Sequence, residues 1–288
     1  MYNVVMNYKF FTNSEKAWKA MFETISNAQK SIYLEMYIFQ NDMAKFNFFD
    51  LLKNKARKGL QVKIIIDYLG SINLSNNAVS ELREAGVEIL YLSYLLHRMH
   101  RKVLIVDESV AFIGGVNLHQ KSRFWNDLTV RIKGNLVGKV VKSFVKSFIN
   151  TGGKDSILLS KNNKITKDKV NTWIVDHSPV KEKFYLKKIY QKYLNKAEKS
   201  VIFMTPYFMP KRWLSAALHQ AVLRGVNVEV LIPNNTDHGF INNRINYFYI
   251  YKLSKLGIKF YIEGKMNHAK AIIIDGKEAM IGSQNLDF

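Results

Sequence analysis

The sequence contains no cysteine, only four prolines and no long uninterrupted run of apolar residues. The absence of cysteine excludes disulfides, thiol nucleophiles and cysteine-based zinc sites. The first residues contain no apolar core of the signal-peptide type, and no stretch of about 18 consecutive apolar residues occurs, so we predict neither a signal peptide nor a transmembrane helix. We therefore expect a cytoplasmic protein whose association with the cell membrane is peripheral.

Acidic residues are also scarce. The sequence contains 23 Asp and Glu residues and 43 Lys and Arg residues, which gives a net charge of +20 at pH 7. The excess is spread over both halves of the chain, so the whole body is basic rather than one tail. Such a field favours polyanionic partners, either nucleic acid or an anionic lipid surface, although a lysine-rich composition alone gives the same charge. With 48% hydrophobic residues in 288, the chain can form one large α/β domain or two ordinary domains.

An internal repeat organises the chain. Four blocks recur in the same order about 170 residues apart, namely 31–39 and 200–208, 58–71 and 224–237, 82–92 and 253–263, and 100–107 and 268–275. We infer a duplicated unit, with an amino-terminal half at 1–150, a linker at 151–170 and a carboxy-terminal half at 171–288. The linker is placed where Gly, Ser, Asn and Lys interrupt the pattern.

Each half alternates helical and strand patterns. Apolar residues at helical spacing, beginning with Trp18, predict a helix over 14–30, with a capping box formed by Thr12 and Glu15. The segments "VKIIID" and "VEILYL" predict strands, and "KVLIVD" and "VAFIGG" predict two strands joined by a polar turn. The predicted fold class is α/β, with two similar halves that each contain a mixed, largely parallel sheet flanked by helices.

One short segment of each half carries the candidate chemistry. In the first, "HRKVLIVDESVAFIGGVN", His100 and Lys102 are two residues apart, and such residues project from the same face of a strand. An imidazole beside an ammonium suits a phosphate group, because one can attack or protonate while the other holds negative oxygens. Asp107 is expected on the other face or at the end of the strand. Gly115 and Asn117 allow backbone N–H groups and an amide to approach a ligand.

The second segment, "HAKAIIIDGKEAMIGSQN", repeats the arrangement. The repeated polar residues are His268, Lys270, Asp275, Ser283 and Asn285. Duplicated strands alone explain the apolar residues of the two copies but not the polar ones. If the halves pack with pseudo-twofold symmetry, the two histidines meet in one cleft, where one acts as nucleophile and the other as general acid. Two lysines would neutralise the phosphoryl oxygens, so we expect no metal and no cofactor.

Both segments fit the pattern HxKx4Dx6G[GS]xN and in this resemble the phospholipase D superfamily. The flanking text is similar to its bacterial cardiolipin synthase branch in "EMYIF" and "DYLGS" before the first motif, in "FWNDLTVRIKG" after it, and in "TPYFMP", "LRGVNVEVLIP" and "NHAK" in the second half. The resemblance covers nearly the whole chain. The paired motif is specific for the superfamily and less specific for the substrate.

The resemblance implies phosphoryl transfer through a covalent phosphohistidine, with His100 as nucleophile and His268 as general acid. Asp107 and Asp275 would orient or electrostatically support the site. The residues implied to bind the phosphodiester are Lys102, Lys270, Gly115, Asn117, Ser283 and Asn285. The implied reaction joins two phosphatidylglycerol molecules at a membrane surface into cardiolipin and releases glycerol.

Other functions use the same residues and are kept as alternatives. In a phospholipase D-type hydrolase, water replaces the acceptor alcohol. A metal-independent nuclease also suits a basic site, and a lipid- or nucleic-acid-binding protein could retain the fold without activity. The resemblance implies a further helical and strand segment beyond the second motif, with an acidic residue that supports a histidine. This sequence stops at Phe288, so either it is a fragment or that support is missing. The sequence leaves the oligomeric state open.

Two further predictions concern the surroundings of the site. Glu35 lies amid apolar strand residues, which indicates either a buried polar partner near the site or a position at a strand edge. Trp213, Phe208 and Tyr94 are candidates for exposed aromatic contacts with a membrane, and packing in the core is the alternative for each.

Overall fold

The computed structural model divides the chain into two compact units. The first unit comprises Met1–Phe124 and Thr129–Asp176, and the second comprises Trp125–Leu128 and His177–Phe288. The structure describes, apart from the side chains of 7 and 240–242, residues 7–43, 45–92, 99–155, 175, 185–237 and 239–285. From residue 156 onward, the linker predicted at 151–170 therefore lies outside the described residues.

The first unit is a seven-stranded sheet with helices on both faces. Its described elements in chain order are β1 (Asn7–Asn13), α1 (Ser14–Ser26), β2 (Ser31–Met36), α2 (Phe48–Arg57), β3 (Gln61–Asp67), α3 (Asn76–Glu84), β4 (Glu88–Leu92), β5 (Lys102–Val106), β6 (Val110–Gly114), a 3₁₀ turn (Gln120–Ser122), β7 (Asn126–Lys133) and α4 (Leu136–Asn150). The strand order is β1-β7-β6-β5-β2-β3-β4. Strands β2, β3 and β4 are parallel, whereas β5, β6 and β7 pair in antiparallel fashion, and β5 also runs antiparallel to β2.

Helix α1 shows how the local sequence determines an element. Its apolar residues at helical spacing face inward, and Trp18 is fully buried, as predicted. The capping box predicted from Thr12 and Glu15 is wrong. Asn13 caps the helix instead, because its side chain accepts a hydrogen bond from the backbone N–H of Lys16 at 3.3 Å.

Both faces of the first sheet are covered. Helices α1, α2 and α3 pack on one face, where Trp18 and Leu52 are fully buried. Helix α4 packs on the other face, where Phe144 stacks on Tyr33 of β2 with ring centroids 5.2 Å apart. As a result, every residue of β2 and of β5 is buried. This double cover fixes the strand that carries the first candidate motif.

The second unit repeats the central part of this plan. Its remaining described elements are α5 (Tyr185–Lys196), β8 (Ser200–Met204), α6 (Arg212–Leu223), β9 (Asn227–Pro233), α7 (Phe240–Ser254), β10 (Lys259–Glu263), β11 (Ala271–Ile274) and β12 (Glu278–Ile281). The strand order is β10-β9-β8-β11-β12, with β8, β9 and β10 parallel and β11 antiparallel to both β8 and β12. Leu194, Leu218 and Leu253 bring the three helices to one core.

The predicted fold class is confirmed, because each unit contains a mixed sheet flanked by helices. The parallel part is limited to three strands in each sheet, since the strand that follows each candidate histidine runs antiparallel to its neighbours. The hairpin predicted from "KVLIVD" and "VAFIGG" is β5–β6. No helix among the described residues is both long and apolar enough to cross a membrane.

Candidate active site

The first motif places an imidazole and an ammonium on one aromatic ring. Lys102 begins β5 and is only 3% exposed, and its Nζ donates to the carbonyl oxygen of His100 at 2.9 Å. The ring of Tyr37, just after β2, lies 4.6 Å from the ring of His100, and the Nζ of Lys102 lies 4.6 Å from the same ring. The structure therefore brings His100 and Lys102 to the same tyrosine ring, although His100 itself precedes β5.

Gly70 makes room for this ring. A Cβ at Gly70 would lie 2.3 Å from the carbonyl oxygen of Tyr37 and 2.8 Å from its ring carbons. Real Cβ atoms do not approach backbone oxygen so closely, so only glycine fits here. The "DYLGS" segment thereby contributes to the placement of His100 through Tyr37.

Arg101, which lies between the two motif residues, connects the start of β5 to helix α4. The guanidinium of Arg101 donates to the hydroxyls of Ser147 at 2.6 Å and Ser143 at 2.5 Å, both on α4. It also lies 3.4 Å from the carboxylate of Glu35, a fully buried residue of β2. The prediction of a buried polar partner for Glu35 near the site is confirmed. A fully buried carboxylate would be unstable without such a cation, so Glu35 ties Arg101, and with it the start of β5, to the sheet.

The second motif contains a buried histidine–carboxylate pair. His268 is 4% exposed, and its Nδ1 lies 2.7 Å from Oδ2 of Asp127, which is 2% exposed. Oδ1 of Asp127 accepts the backbone N–H of Leu128 at 2.7 Å, so both carboxylate oxygens are engaged. The ring of Trp125 packs against that of His268 with centroids 5.5 Å apart. A carboxylate can only accept at Nδ1, so this contact favours the tautomer of His268 with its proton on Nδ1.

A small polar frame holds this pair in place. The backbone N–H of His268 donates to the carbonyl of Asn126 at 2.6 Å, and the N–H of Asn126 donates to the carbonyl of Met266 at 3.0 Å. The carboxylate of Glu263 accepts the side-chain amides of Asn126 at 2.6 Å and Asn267 at 2.8 Å. These bonds fasten the segment that carries Asp127 to the segment that carries His268, so the imidazole is pre-positioned.

Lys270 repeats the geometry of the first motif. It is 4% exposed, and its Nζ donates to the carbonyl oxygen of His268 at 2.5 Å. In both units, a buried ammonium therefore lies beside the histidine two residues earlier. A buried positive charge attracts an anionic ligand more strongly than an exposed one, because water screens it less.

The motif aspartates lie at the opposite end of the strand from the histidines. His100 and Asp107 flank β5 on its two sides, and seven extended residues span roughly 20 Å. Asp107 accepts the consecutive backbone N–H groups of residues 29, 30 and 31, the closest at 2.7 Å. Asp275 accepts those of residues 198, 199 and 200, the closest at 2.8 Å. Direct support of the histidines by these aspartates is thus ruled out by geometry; they anchor the start of β2 and of β8.

Both aspartates adopt a left-handed backbone, with φ of 51° at Asp107 and 54° at Asp275. Partial burial raises the pKa of Asp107, but the three backbone N–H donors outweigh it and lower that pKa below its ordinary value of 3.8. The N–H groups of Ser200, Lys199 and Glu198 lower the pKa of Asp275 in the same way. The carboxylates are therefore ionised at neutral pH and serve as hydrogen-bond acceptors.

The expected ligand-binding residues follow the first hairpin in each unit. Gly115 is buried, and Oδ1 of Asn117 accepts the backbone N–H of Ile38 at 3.3 Å. The carbonyl of Asn117 accepts the indole N–H of Trp18 at 2.9 Å. Ser283 and Asn285 are partly buried in the second unit. Within the described part of the chain, Oδ1 of Asn285 is buried without a hydrogen-bond partner.

The aromatic residues proposed for membrane contact do not lie on the described surface. Phe208 is fully buried in the core of the second unit, and Trp213 is partly buried against the same core. Tyr94 lies outside the described residues. Within the described ranges, no group of three or more His, Asp and Glu side chains is arranged to hold a metal ion.

Asp127 is the residue of the candidate site that the sequence patterns did not predict. It lies within "FWNDLTVRIKG", one of the segments that carry the family resemblance, whereas the resemblance implies an acidic support for a histidine after the second motif. A signal that could point to it is an aspartate at the start of the alternating segment "DLTVRIK", two residues after Trp125. Its partner is 141 residues away in sequence, so local patterns do not reveal the contact.

Comparison with known proteins identifies similar sequences over nearly the whole chain. The family model described as "Cardiolipin synthase, PLD-like domain" matches residues 21–151 and 190–288. The chain is 31% identical to a cardiolipin synthase of Oceanobacillus iheyensis and 32% identical to the major cardiolipin synthase of Bacillus subtilis. Each alignment covers 96% of this chain and 61% of the relative, so the chain spans less than two thirds of these relatives.

A solved structure supports the fold. The phosphatidylserine synthase of Haemophilus influenzae Rd KW20 matches with a TM-score of 0.73, over 97% of this chain and 78% of that chain. The sequence identity is 15%, so this likeness concerns the fold alone.

Proposed function

The chain belongs to the family of cardiolipin synthase, PLD-like domains, and from this we propose that it transfers a phosphatidyl group from one phosphatidylglycerol molecule to another, forming cardiolipin and releasing glycerol. The observation that carries the proposal is the buried pair of His268 and Asp127 beside the ammonium of Lys270. An oriented imidazole next to a buried cation is suited to proton transfer at a phosphodiester.

The first step forms a phosphohistidine. Nε2 of His100 attacks the phosphorus of the first phosphatidylglycerol, and the bond from phosphorus to the head-group glycerol oxygen breaks. His268, protonated at Nε2 and held by Asp127, gives its proton to the departing oxygen. Glycerol leaves, the phosphatidyl group stays on His100, and His268 is now neutral at Nε2.

The second step reverses the roles at the same atoms. Neutral His268 accepts a proton from a head-group hydroxyl of the second phosphatidylglycerol, and the resulting oxygen attacks the phosphorus. The bond between phosphorus and His100 breaks, cardiolipin forms and both histidines return to their starting states. A carboxylate that stabilises the imidazolium form assists His268 in both directions.

The remaining motif residues bind the phosphodiester or position the strands that carry the histidines. We assign the non-bridging phosphoryl oxygens to the ammonium groups of Lys102 and Lys270, because two cations offset the charge that develops in transfer. The residues assigned to further contacts with the phosphodiester are Gly115, Asn117, Ser283 and Asn285. Asp107 and Asp275 are positioning residues that act through the strands beside the motifs.

The substrate class determines where the protein acts. Phosphatidylglycerol resides in a bilayer, so we propose a cytoplasmic protein that associates peripherally with the cell membrane. The net charge of +20 favours a surface rich in anionic lipid. Nucleic acid is the alternative polyanion.

One assay tests the proposal against its alternatives. The protein is incubated, with chelator present, with phosphatidylglycerol vesicles and separately with single-stranded DNA. We expect cardiolipin and glycerol in equal amounts, together with a phosphatidyl adduct of the protein detected by mass spectrometry. Phosphatidic acid alone would replace the transferase with a hydrolase. Cleavage of DNA without lipid turnover would overturn both lipid functions.

A further inference from the structure

Helix α7 carries a stripe of exposed aromatic and basic side chains. The aromatic–basic stripe consists of Arg244, Tyr247, Phe248, Tyr251, Lys252 and Lys255, all of them exposed. The three aromatic side chains are 44%, 59% and 64% exposed in chain order. These positions recur at helical spacing, so they form one continuous face. Such a pattern of large side chains ordinarily faces a core, and here it faces outward.

The opposite face of the same helix already serves the fold. Leu253 is buried, and Tyr249 and Ile250 pack against the core of the second unit. The side chain of Asn246 accepts the backbone N–H of Phe208 at 2.9 Å and donates to the carbonyl of Pro206 at 3.2 Å. The helix is therefore held by its inner face.

The tyrosine hydroxyls of the stripe make polar contacts, while the aromatic rings stay exposed to solvent. The hydroxyl of Tyr247 donates to Oδ1 of Asn234 at 2.6 Å, and the Nζ of Lys255 lies 2.6 Å from the hydroxyl of Tyr251 and 4.1 Å from its ring centroid. Phe248 adds a ring without a polar atom. Amphipathic rings with their polar tips engaged, flanked by long basic side chains, suit the head-group layer of a bilayer.

The charge of the helix selects the kind of bilayer. The segment 240–255 contains Arg244, Lys252 and Lys255 and no aspartate or glutamate. An anionic lipid surface attracts such a face, and each basic residue near it strengthens binding. A single-stranded nucleic acid also pairs with rings and cations, but it is bound in grooves that follow its backbone, whereas one helix face is convex.

We propose that the aromatic–basic stripe of α7 is the surface by which this protein docks onto an anionic bilayer, with the rings in the interface and the basic groups at the lipid phosphates. This inference rests on the proposed function, since a phosphatidylglycerol substrate reaches the site from such a bilayer. It assigns the membrane contact to α7 rather than to Phe208 or Trp213.

Vesicle binding of the full chain tests the surface. The double variant Phe248→Ser/Tyr251→Ser should bind vesicles of mixed phosphatidylglycerol and phosphatidylcholine at least about tenfold more weakly than the wild type. Lys252→Glu/Lys255→Glu should weaken the same binding by about tenfold or more and make it less sensitive to salt. Leu223→Ser is the matched control, because Leu223 is 66% exposed at the end of α6 in the same unit. Circular dichroism checks that each variant is folded.

A probe on the helix gives a second readout. Because the chain has no cysteine, Ser254→Cys at the end of α7 and Gln220→Cys on α6 can each carry one environment-sensitive fluorophore. Anionic vesicles should shift the emission of the first to the blue and leave the second unchanged. Equal vesicle binding by the wild type and both double variants would overturn the inference, as would stripe variants that lose binding to single-stranded DNA but not to vesicles.

Turnover of a short-chain phosphatidylglycerol dispersed as monomers separates this inference from the proposed function. Stripe variants should turn over the monomeric lipid at the wild-type rate while binding vesicles poorly. If the wild type binds vesicles through the stripe but turns over no lipid, the docking surface stands and the proposed function fails. If the lipid is turned over and vesicle binding ignores the stripe, the docking surface fails and the proposed function stands.

Discussion

The two units present the same His-x-Lys pair but hold the histidine through different neighbours. In the first unit, the ring of His100 packs on Tyr37, which occupies the space left by Gly70. In the second, a buried carboxylate, that of Asp127, binds Nδ1 of His268. An aromatic contact restricts where a ring lies, whereas a carboxylate also determines the tautomer and stabilises the imidazolium. The carboxylate of Asp127 therefore suits His268 to the proton transfer that we propose for it.

Loss of either imidazole should have the largest effect. We expect His100→Ala and His268→Ala each to lower the rate of cardiolipin formation by at least ~10³-fold, because the nucleophile and the acid–base group are both required. The measurement is conversion of radiolabelled phosphatidylglycerol at matched protein concentration. His219→Ala, on α6, is the control and should retain the wild-type rate. Near-normal activity in either motif variant would refute the two-histidine scheme.

Removal of the carboxylate tests the assignment of proton transfer to the second unit. Asp127→Asn keeps the volume but loses the charge that orients and stabilises His268, so we expect a rate lower by about 10²-fold or more. The same turnover assay measures it. Asp42→Asn is the matched control, because the carboxylate of Asp42 accepts a backbone N–H, that of Gln120, on the exposed surface. An unchanged rate in Asp127→Asn would place the acid–base function elsewhere.

The two sheets also differ in how they are covered. In the first unit, every residue of β2 and of β5 is buried, because α4 packs on the face that α1, α2 and α3 leave open. In the second unit, buried and partly buried residues alternate along β8, β9 and β11. The two units therefore share the same strands, but the face of the sheet that α4 covers in the first unit is less buried in the second.

A matched pair of substitutions measures this difference. Ile65 of β3 is fully buried, and Leu231 stands at the corresponding position of β9 but is only partly buried. Ile65→Ala should destabilise its unit by about 2–5 kcal/mol, as expected for a cavity in a closed core, and Leu231→Ala should destabilise its unit by about half as much or less. Hydrogen exchange read by mass spectrometry resolves the two units. Equal losses would mean that the second face of β9 is as tightly packed as that of β3.

The sequence was sufficient for the features that depend on local pattern. The hairpin after His100 follows from two apolar strand patterns that are joined by a polar turn. The partner of Asp107 did not follow, because the N–H groups it binds lie 76 to 78 residues away and are backbone atoms without sequence identity. The pairing of Asp127 with His268 could not be predicted either, because the two residues are 141 positions apart in the sequence. Asn13 displaced the predicted cap because adjacent residues compete for one helix end.

The smallest expected effect concerns the motif aspartates, which act on stability. Asp107→Ala removes the acceptor of three backbone N–H groups at the start of β2, so we expect a loss of about 1–3 kcal/mol in the free energy of unfolding, measured by urea titration at pH 7. Glu84→Ala, an exposed carboxylate at the end of α3, is the control and should change little. Asp275→Ala should act in the same direction in the second unit.

The pH dependence gives this prediction its sign. The folded protein lowers the pKa of Asp107 below its ordinary value of 3.8, so the unfolded chain binds the proton more readily than the folded one. The stabilisation is therefore fully present above the unfolded pKa and is lost as the pH falls through the lower folded pKa. The wild type and Asp107→Ala should accordingly converge in stability below pH 3.8, whereas Glu84→Ala stays parallel to the wild type. A difference that persists undiminished in acid would show that Asp107 acts through packing rather than through its charge.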